Sequence, residues 1–326
     1  MQALQHATVV FGGSGFVGRH VVRAALAHAR AAAREGKRRA EVVISASREP
    51  EHGLDGTEDP NLVLATFDVA TRDEPERLLD DLAPRRVILL TGMARIADCD
   101  AYPGYARALN VDLPARVARW TAARGARLVH VSTDLVFGAV SPPLEGFREE
   151  DEPAPVSNYG RTKLEGERNV RAADPAALVA RLALCWDARG AGCGANAPLL
   201  DVLSTGARPA LFTDEWRTPI LVTEAATALV QLAHGSARGV LHVAGRERIT
   251  RHELGVSLAL ASGVPLADVR RRIQAVTRAA AGLDKTRPAD VCLDARRARE
   301  EHGLVLPGAS EVFARIAREA RARSEA

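Results

Sequence analysis

Gly12, Gly15 and Gly18 follow the run Ala7-Thr8-Val9-Val10-Phe11 at three-residue spacing, where an apolar helical pattern begins that passes through Phe16, Val17, Val21, Ala24 and Leu26. A β-branched and aromatic run predicts a strand and the 3.6-residue period predicts a helix, so the glycines sit in a strand-to-helix turn. The first glycine permits a tight turn, the second lets the backbone approach a pyrophosphate, and the third lets helix and strand pack closely. Amide groups at the helix start, aided by the helix dipole, then face an anion. Such a turn can serve backbone geometry alone. Its place between strand and helix points instead to a bound dinucleotide.

Further strands are predicted at Glu41 to Ser45, Leu62 to Phe67, Arg86 to Leu90, Leu128 to Val131, Leu178 to Leu184 and Val240 to Val243, with helical patterns between most of them. That alternation predicts an α/β fold, a doubly wound parallel sheet with helices on both faces. Ligands of such sheets lie at the carboxyl ends of the strands, where Thr91-Gly92, Ser132-Thr133 and the glycine turn all fall. The expected division is a nucleotide-binding domain over 1–185, rejoined by the strand near 240–243, and a smaller C-terminal substrate lobe over 186–326. A loop rich in proline and acids runs from Ser141 to Pro155, Gly190 to Gly194 reads as a flexible stretch, and helices are predicted to begin near Leu199, Thr223, Arg251 and Pro265.

Tyr159 and Lys163 stand four residues apart in Ser157-Asn158-Tyr159-Gly160-Arg161-Thr162-Lys163-Leu164. On a helix they share a face, which sets an ammonium beside a phenol. Lowering a tyrosine from about 10 to about 7 takes roughly 4 kcal/mol, and a cation about 4 Å away supplies roughly that at an effective dielectric near 20. Burial opposes part of the shift, but even a partial one suits an acid working near neutrality. A surface helix can also carry Tyr and Lys at this spacing by chance; the glycine turn upstream favours the chemical reading.

The 326 residues include 44 basic and 41 acidic side chains, a net charge of +3, so nothing argues for a nucleic-acid partner. The arginine runs at 34–39 and 315–321 are interleaved with acids and read as solvated helix faces. No apolar run approaches the roughly eighteen residues of a membrane span, and no basic segment followed by an apolar one precedes the first strand. Cys99, Cys185, Cys193 and Cys292 lack paired spacing, which predicts neither a zinc site nor a disulfide framework. Reduced thiols fit a cytoplasmic setting. His130 and His242 lie in apolar strand patterns and read as core histidines.

Together these motifs resemble the extended short-chain dehydrogenase/reductase superfamily, and within it most closely the dTDP-4-dehydrorhamnose reductase family. The likeness rests on Gly12 to Gly18, Leu109-Asn110-Val111, Val131 to Gly138, Tyr159 to Glu167, Arg217-Thr218-Pro219-Ile220 and Arg287-Pro288-Ala289-Asp290-Val291, nearly end to end. It implies a Rossmann-like fold and reduction of a keto group on a nucleotide-activated sugar. It makes Tyr159 the general acid for the carbonyl oxygen and Lys163 the ligand of the nicotinamide ribose. Thr133 becomes a second donor to that oxygen, and Asn110 a support of the lysine through the fold. Cofactor contacts are implied at Gly12, Ser14, Gly15, Phe16, Val17 and Gly18, at Asp68 and Val69 beside the adenine, and at Thr91, Gly92 and Met93. Nucleotide-sugar dehydratases carry a glutamate where this chain has Leu135. Leucine exchanges no proton, which favours simple reduction. Leu182-Ala183-Leu184-Cys185-Trp186-Asp187 departs from the family's Thr-x-Trp-Val-Tyr-Gly and leaves the sugar open.

After the second strand, Ser45-Ala46-Ser47-Arg48 offers no acid for a ribose 2′-hydroxyl. Arg48, with Ser47, suits a 2′-phosphate, so NADP(H) is favoured with NAD(H) possible. Asp134, Arg217 and Arg287 are expected beside substrate, the arginines on its diphosphate, though pairing with Asp214, Glu215 or Asp290 is an equal expectation for them. Two other readings stay open: a non-catalytic NADP-binding subunit resembling the methionine adenosyltransferase β subunit, and a sugar-nucleotide epimerase. The remaining expectations are a nucleotide-sugar partner, no membrane partner, and a homodimer left open.

Overall fold

Seven apolar runs become the strands of one sheet. The computed structural model describes residues 6–34, 41–54, 57–68, 74–187 and 208–324. Its strands β1 (Thr8–Phe11), β2 (Val43–Ser47), β3 (Leu62–Thr66), β4 (Arg86–Leu89), β5 (Arg127–Thr133), β6 (Leu178–Leu182) and β7 (Gly239–Val243) lie in the order β7-β6-β5-β4-β1-β2-β3. β1 pairs in parallel with both β2 and β4, bringing Phe11 level with Ala46 on one side and Leu89 on the other. Every residue of β1, β2 and β6 is buried, as expected for parallel strands covered on both faces. β3, at the sheet edge, is half-exposed. The fold is the expected Rossmann-like doubly wound α/β arrangement.

Strand ends differ from the expectation by a few residues. β2 begins at Val43 rather than Glu41 and runs through Ser47, because Glu41 is engaged by Thr8, Arg86 and His234 while Ala46 and Ser47 pair with β1 and β3. β5 runs on to Thr133.

The chain divides into two compact units. The first comprises Met1–Thr133, Ser157–Arg181 and Ala226–Leu241 and contains α1 (Phe16–Arg34), α2 (Glu74–Leu82), α3 (Leu113–Arg124) and α4 (Asn158–Ala173). Alternate strand residues Val9, Phe11, Ile44, Ala46, Val87, Leu89, Leu128 and Val179 form one core with Leu79 of α2, Val117 and Trp120 of α3, and Val170 of α4. Phe11 meets Phe67 edge to face at 4.9 Å, and full burial of each ring contributes about 1.5–3 kcal/mol.

The second unit comprises Asp134–Val156, Leu182–Ala225 and His242–Ala326. Three short strand pairs, including Trp216–Arg217 against Ile249–Thr250, and the helices Arg251–Ala261, Leu266–Arg272 and Ala309–Ser324 surround a core that contains Trp186, Leu254, Leu258, Ile273 and Val312. The helix expected near Arg251 starts with a capping box of Thr250 and Glu253, which satisfies two free helix-end donors. Those expected near Thr223 and Pro265 begin at Val222 and Leu266. The helix near Leu199 and the Gly190 to Gly194 stretch lie outside the described residues. Arg315, Arg318 and Arg321 are exposed as expected; of the 34–39 run only Arg34 is described, and it is exposed. No helix among the described residues is long and apolar enough to cross a membrane. His130 and His242 are both fully buried.

Candidate active site

The glycine turn is held where the sheet order reverses, between β1 and β4, the place where such sheets bind nucleotides. Gly12 has φ +83°, a left-handed conformation that favours glycine, and its amide donates to Ala46 O at 2.7 Å. The Gly15 amide donates to Gly12 O at 3.0 Å. A Cβ on Gly18 would lie 1.9 Å from Gly12 O, so α1 packs on the turn at a distance only glycine allows. Gly13 is crowded too, though less severely: a Cβ there would lie 2.2 Å from the rotatable Ser45 Oγ and 3.0 Å from Ser45 Cβ. Sequence spacing gave no weight to Gly13.

A cavity of about 410 Å³ opens at this turn, lined by Gly12, Ser14, Ser47, Arg48 and Thr91 together with Glu49, Phe67, Tyr105 and Leu109. The first five are residues the sequence singled out for a cofactor. Ser47 Oγ and Thr91 Oγ1 are buried without a hydrogen-bond partner among the described residues. Buried hydroxyls are rarely left so, and a polar ligand in the cavity would satisfy them. Glycines that leave the backbone bare, two waiting hydroxyls and the adjacent Arg48 fit a dinucleotide. Arg48, mostly exposed, stands 4.0 Å from Asp68. Phe16 and Val17 form the first turn of α1, half-buried. Val69 lies outside the described residues.

Asn110 joins this cavity to the helix carrying Tyr159. It is fully buried in a π-helical turn, Ala108–Asp112, a geometry frequent at functional sites. Its Oδ1 accepts from Met93 N at 2.9 Å, and its Nδ2 donates to Met93 O at 3.1 Å and to Thr162 Oγ1 at 3.0 Å. Thr162 Oγ1 in turn donates to Tyr159 O at 2.9 Å. The side chain therefore fixes the segment after β4 and the first turn of α4 at once. A Cβ on Gly166 would come within 2.1 Å of Asn110 O, so α4 also packs tightly on the π turn.

α4 begins at Ser157, whose hydroxyl accepts from Gly160 N at 3.1 Å as the N-cap. Tyr159 thus falls in the first turn, half-buried, and Lys163 follows one turn later on the same face, buried. Lys163 Nζ donates to Val131 O of β5 at 2.8 Å. A Cβ on Gly92 would lie 3.9 Å from that nitrogen, which places the ammonium beside the turn after β4. Burial lowers the Lys163 pKa to about 8, and Glu167 acts to raise it. Thr133, buried, ends β5 two residues beyond Val131. The first unit therefore gathers the glycine turn, Thr91-Gly92-Met93, Asn110, Thr133, Tyr159 and Lys163 around the ends of β1, β4 and β5.

In the second unit Glu215 is the hub, 2% exposed. Arg287 donates to it twice, Nε to Oε2 and Nη2 to Oε1, each at 2.9 Å. Arg217 Nη2 reaches Oε1 at 3.0 Å, and Arg217 Nε lies 3.9 Å from Asp134 Oδ2. Arg251 adds a third guanidinium, its pKa lowered to about 10 by burial and by the other two arginines against the opposing pull of Glu215 and Asp134. Among the described residues, three guanidiniums thus gather around Glu215 and Asp134, a cationic grouping of the kind that suits an anionic ligand. Of the three acids expected as partners, Glu215 pairs with both arginines, while Asp214 pairs with Arg278 and Asp290 with Arg248.

Arg251, Tyr105 and the Glu167–Arg181 pair escaped the sequence reading, and Glu215 entered it as one of three expected partners of the arginines. Arg181 alone carried a usable signal, a charge inside the apolar run Leu178-Val179-Ala180-Arg181-Leu182 that must find a partner if the strand is buried.

The chain matches the model of the RmlD substrate binding domain over residues 6–321. It is 31% identical over 277 residues to a probable low-salt glycan biosynthesis reductase, Agl14, of Haloferax volcanii, covering 82% of this chain and 89% of that one. It is also 31% identical over 201 residues to the methionine adenosyltransferase 2 subunit beta of Pongo abelii, covering 59% of each chain. Among solved structures, the dTDP-4-dehydrorhamnose reductase of Bacillus anthracis in complex with NADP shares the fold with a TM-score of 0.76 at 17% identity, over 97% of this chain and 99% of the other. By the extent of the family match and the spacing of its site residues, the chain belongs to the RmlD substrate binding domain family.

Proposed function

We propose that this chain is an NADPH-dependent reductase acting on a keto group of a nucleotide-activated sugar. The observation that carries the proposal is α4, which sets Tyr159 and the buried Lys163 on one face, with the ammonium beside Gly92, the residue after Thr91 of the cavity at the glycine turn. Agl14 is named a reductase, and the Bacillus anthracis reductase is solved with NADP.

In this reading Gly12 to Gly18 hold the pyrophosphate, Ser47 and Arg48 the 2′-phosphate, Asp68 and Val69 the adenine edge, and Lys163 the nicotinamide ribose. The bound nicotinamide supplies hydride. Tyr159 gives its proton to the substrate oxygen as negative charge develops there, and Thr133 donates a hydrogen bond to the same oxygen. Lys163, while charged, favours the phenolate that remains until solvent returns a proton. Arg217 and Arg287 provide charge for the substrate diphosphate, with Arg251 adding to their field. Leu135, in place of an acid, keeps the reaction to reduction.

Purified protein, NADPH and a panel of nucleotide-linked 4-keto-6-deoxy sugars test this. Substrate-dependent loss of the reduced-nicotinamide absorbance is expected, and none across the panel overturns it. The match to methionine adenosyltransferase β subunits supports a second reading, a cofactor-binding subunit without turnover. Tight NADPH binding, no turnover and co-purification of a larger enzyme would favour it. The proposal extends to a cytoplasmic enzyme and to a homodimer, the latter tested by sedimentation.

A further inference from the structure

Resting on the reductase reading, we propose that Glu167 is a positioning residue, a carboxylate clamped by Arg181 and Ser132 one helical turn beyond Lys163 that keeps the buried lysine charged at neutral pH. Tyr159, Lys163 and Glu167 recur every four residues along α4 and so share one face. Consecutive residues of β5 hold the last two: Val131 O accepts from Lys163 Nζ at 2.8 Å, and the Ser132 hydroxyl donates to Glu167 Oε1. From β6, Arg181 Nε reaches both carboxylate oxygens at 3.1 Å and Nη2 reaches Oε2 at 2.9 Å. Lys163, Glu167 and Arg181 are 4%, 2% and 3% exposed.

If Glu167 served only to pin α4 to β6, Lys163 would be a buried cation facing one neutral carbonyl, an arrangement that strongly favours loss of its proton. Among the described residues no hydrogen bond joins Lys163 to Glu167, so the carboxylate acts through its field. Arg181 and Ser132 stop it from swinging onto the ammonium, whose remaining N–H groups stay available for ribose hydroxyls. Burial and the Glu167 charge pull the Lys163 pKa in opposite directions. The balance leaves the amine charged near neutrality with little to spare.

The chain contains only three lysines, Lys37, Lys163 and Lys285, so selective labelling makes the test direct. Protein labelled with 13Cε-lysine and carrying Lys37→Arg and Lys285→Arg gives a single lysine signal to titrate by NMR. The expected midpoint is about 8 with Glu167 present. Glu167→Gln should lower it by about 1 pH unit or more. Because that variant leaves the Arg181 guanidinium without its carboxylate, Glu167→Gln with Arg181→Met is titrated beside it and should also lower the midpoint, by no more than the single variant does, since the guanidinium's charge is gone too. Glu167→Asp should recover part of it. The alkaline limb of the kcat/KM profile should move down by the same interval, which a purely structural role would not produce. An unmoved lysine midpoint in both Gln variants overturns the proposal. A midpoint that shifts in a protein without reductase turnover upholds the role of Glu167 and overturns only the reaction.

Discussion

Replacing Gly18 by alanine sets a methyl carbon 1.9 Å from Gly12 O, where ordinary van der Waals contact begins near 3.4 Å. The obstacle is backbone, so no rotamer relieves it, and α1 must move from the turn by about 1.5 Å in a close-packed interior. Overpacking of this kind costs about 1–3 kcal/mol, read as a fall in Tm of several degrees. The larger effect is on the anion cradle, because the amides that face a pyrophosphate are those of the displaced turn. Each charge-assisted hydrogen bond lost weakens binding by about 1.5–3 kcal/mol, roughly 10- to 100-fold in Kd. Gly125→Ala is the control. Gly125 has a left-handed φ of +62° but meets nothing within 4 Å, so about 1 kcal/mol of stability is expected to be lost with NADPH affinity unchanged. Fluorescence titration with NADPH and thermal melts of both variants decide the matter. NADPH binding by Gly18→Ala at wild-type affinity, or an equal loss in Gly125→Ala, refutes the assignment of the turn to the cofactor.

Three further expectations concern other parts of the molecule. Arg48→Ala should cut the preference for NADPH over NADH by about 10- to 100-fold, the value of one or two charge-assisted bonds to a 2′-phosphate; equal discrimination before and after, from paired affinity measurements, would remove Arg48 from the site. Glu215→Gln leaves Arg217, Arg251 and Arg287 facing one another and should lower unfolding stability in urea by about 3–5 kcal/mol, whereas a loss under about 1 kcal/mol would mean the cluster is solvated. His130 is fully buried, lacks a hydrogen-bond partner among the described residues, and has its pKa held well below 6.5 by burial and by Lys163. Below 6.5 the unfolded chain therefore binds a proton that the folded one refuses, and stability falls as pH drops, by up to about 1.4 kcal/mol per pH unit. His130→Phe should flatten that dependence in pH-resolved urea melts, and an unchanged slope would assign it elsewhere.

The central sheet strands could be read from the chain because parallel strands buried on both faces are written as largely apolar runs, while edge β3, half-exposed, was marked by its β-branched and aliphatic residues. The glycine turn was readable because its backbone demands are met by one residue type. What stayed hidden depends on partners distant in sequence. The π-helical turn at Asn110 has no local signature; it is held by Met93, 17 residues before, and Thr162, 52 residues after. Asp214 and Glu215 are neighbours of like charge, and the buried one is distinguished by its contacts with Arg217 and with Arg287, 72 residues on. β2 ends two residues beyond the expected Ser45 because Ala46 and Ser47, weak strand formers, extend it only through pairing with β1 and β3.

Single-turnover mixing of NADPH-loaded protein with a nucleotide-linked 4-keto sugar, for the natural chain and for Tyr159→Phe, addresses the proton donor itself. The account predicts that both bind NADPH alike, and that the variant oxidises it about 10²–10⁴-fold more slowly. Equal rates in the two proteins would contradict it.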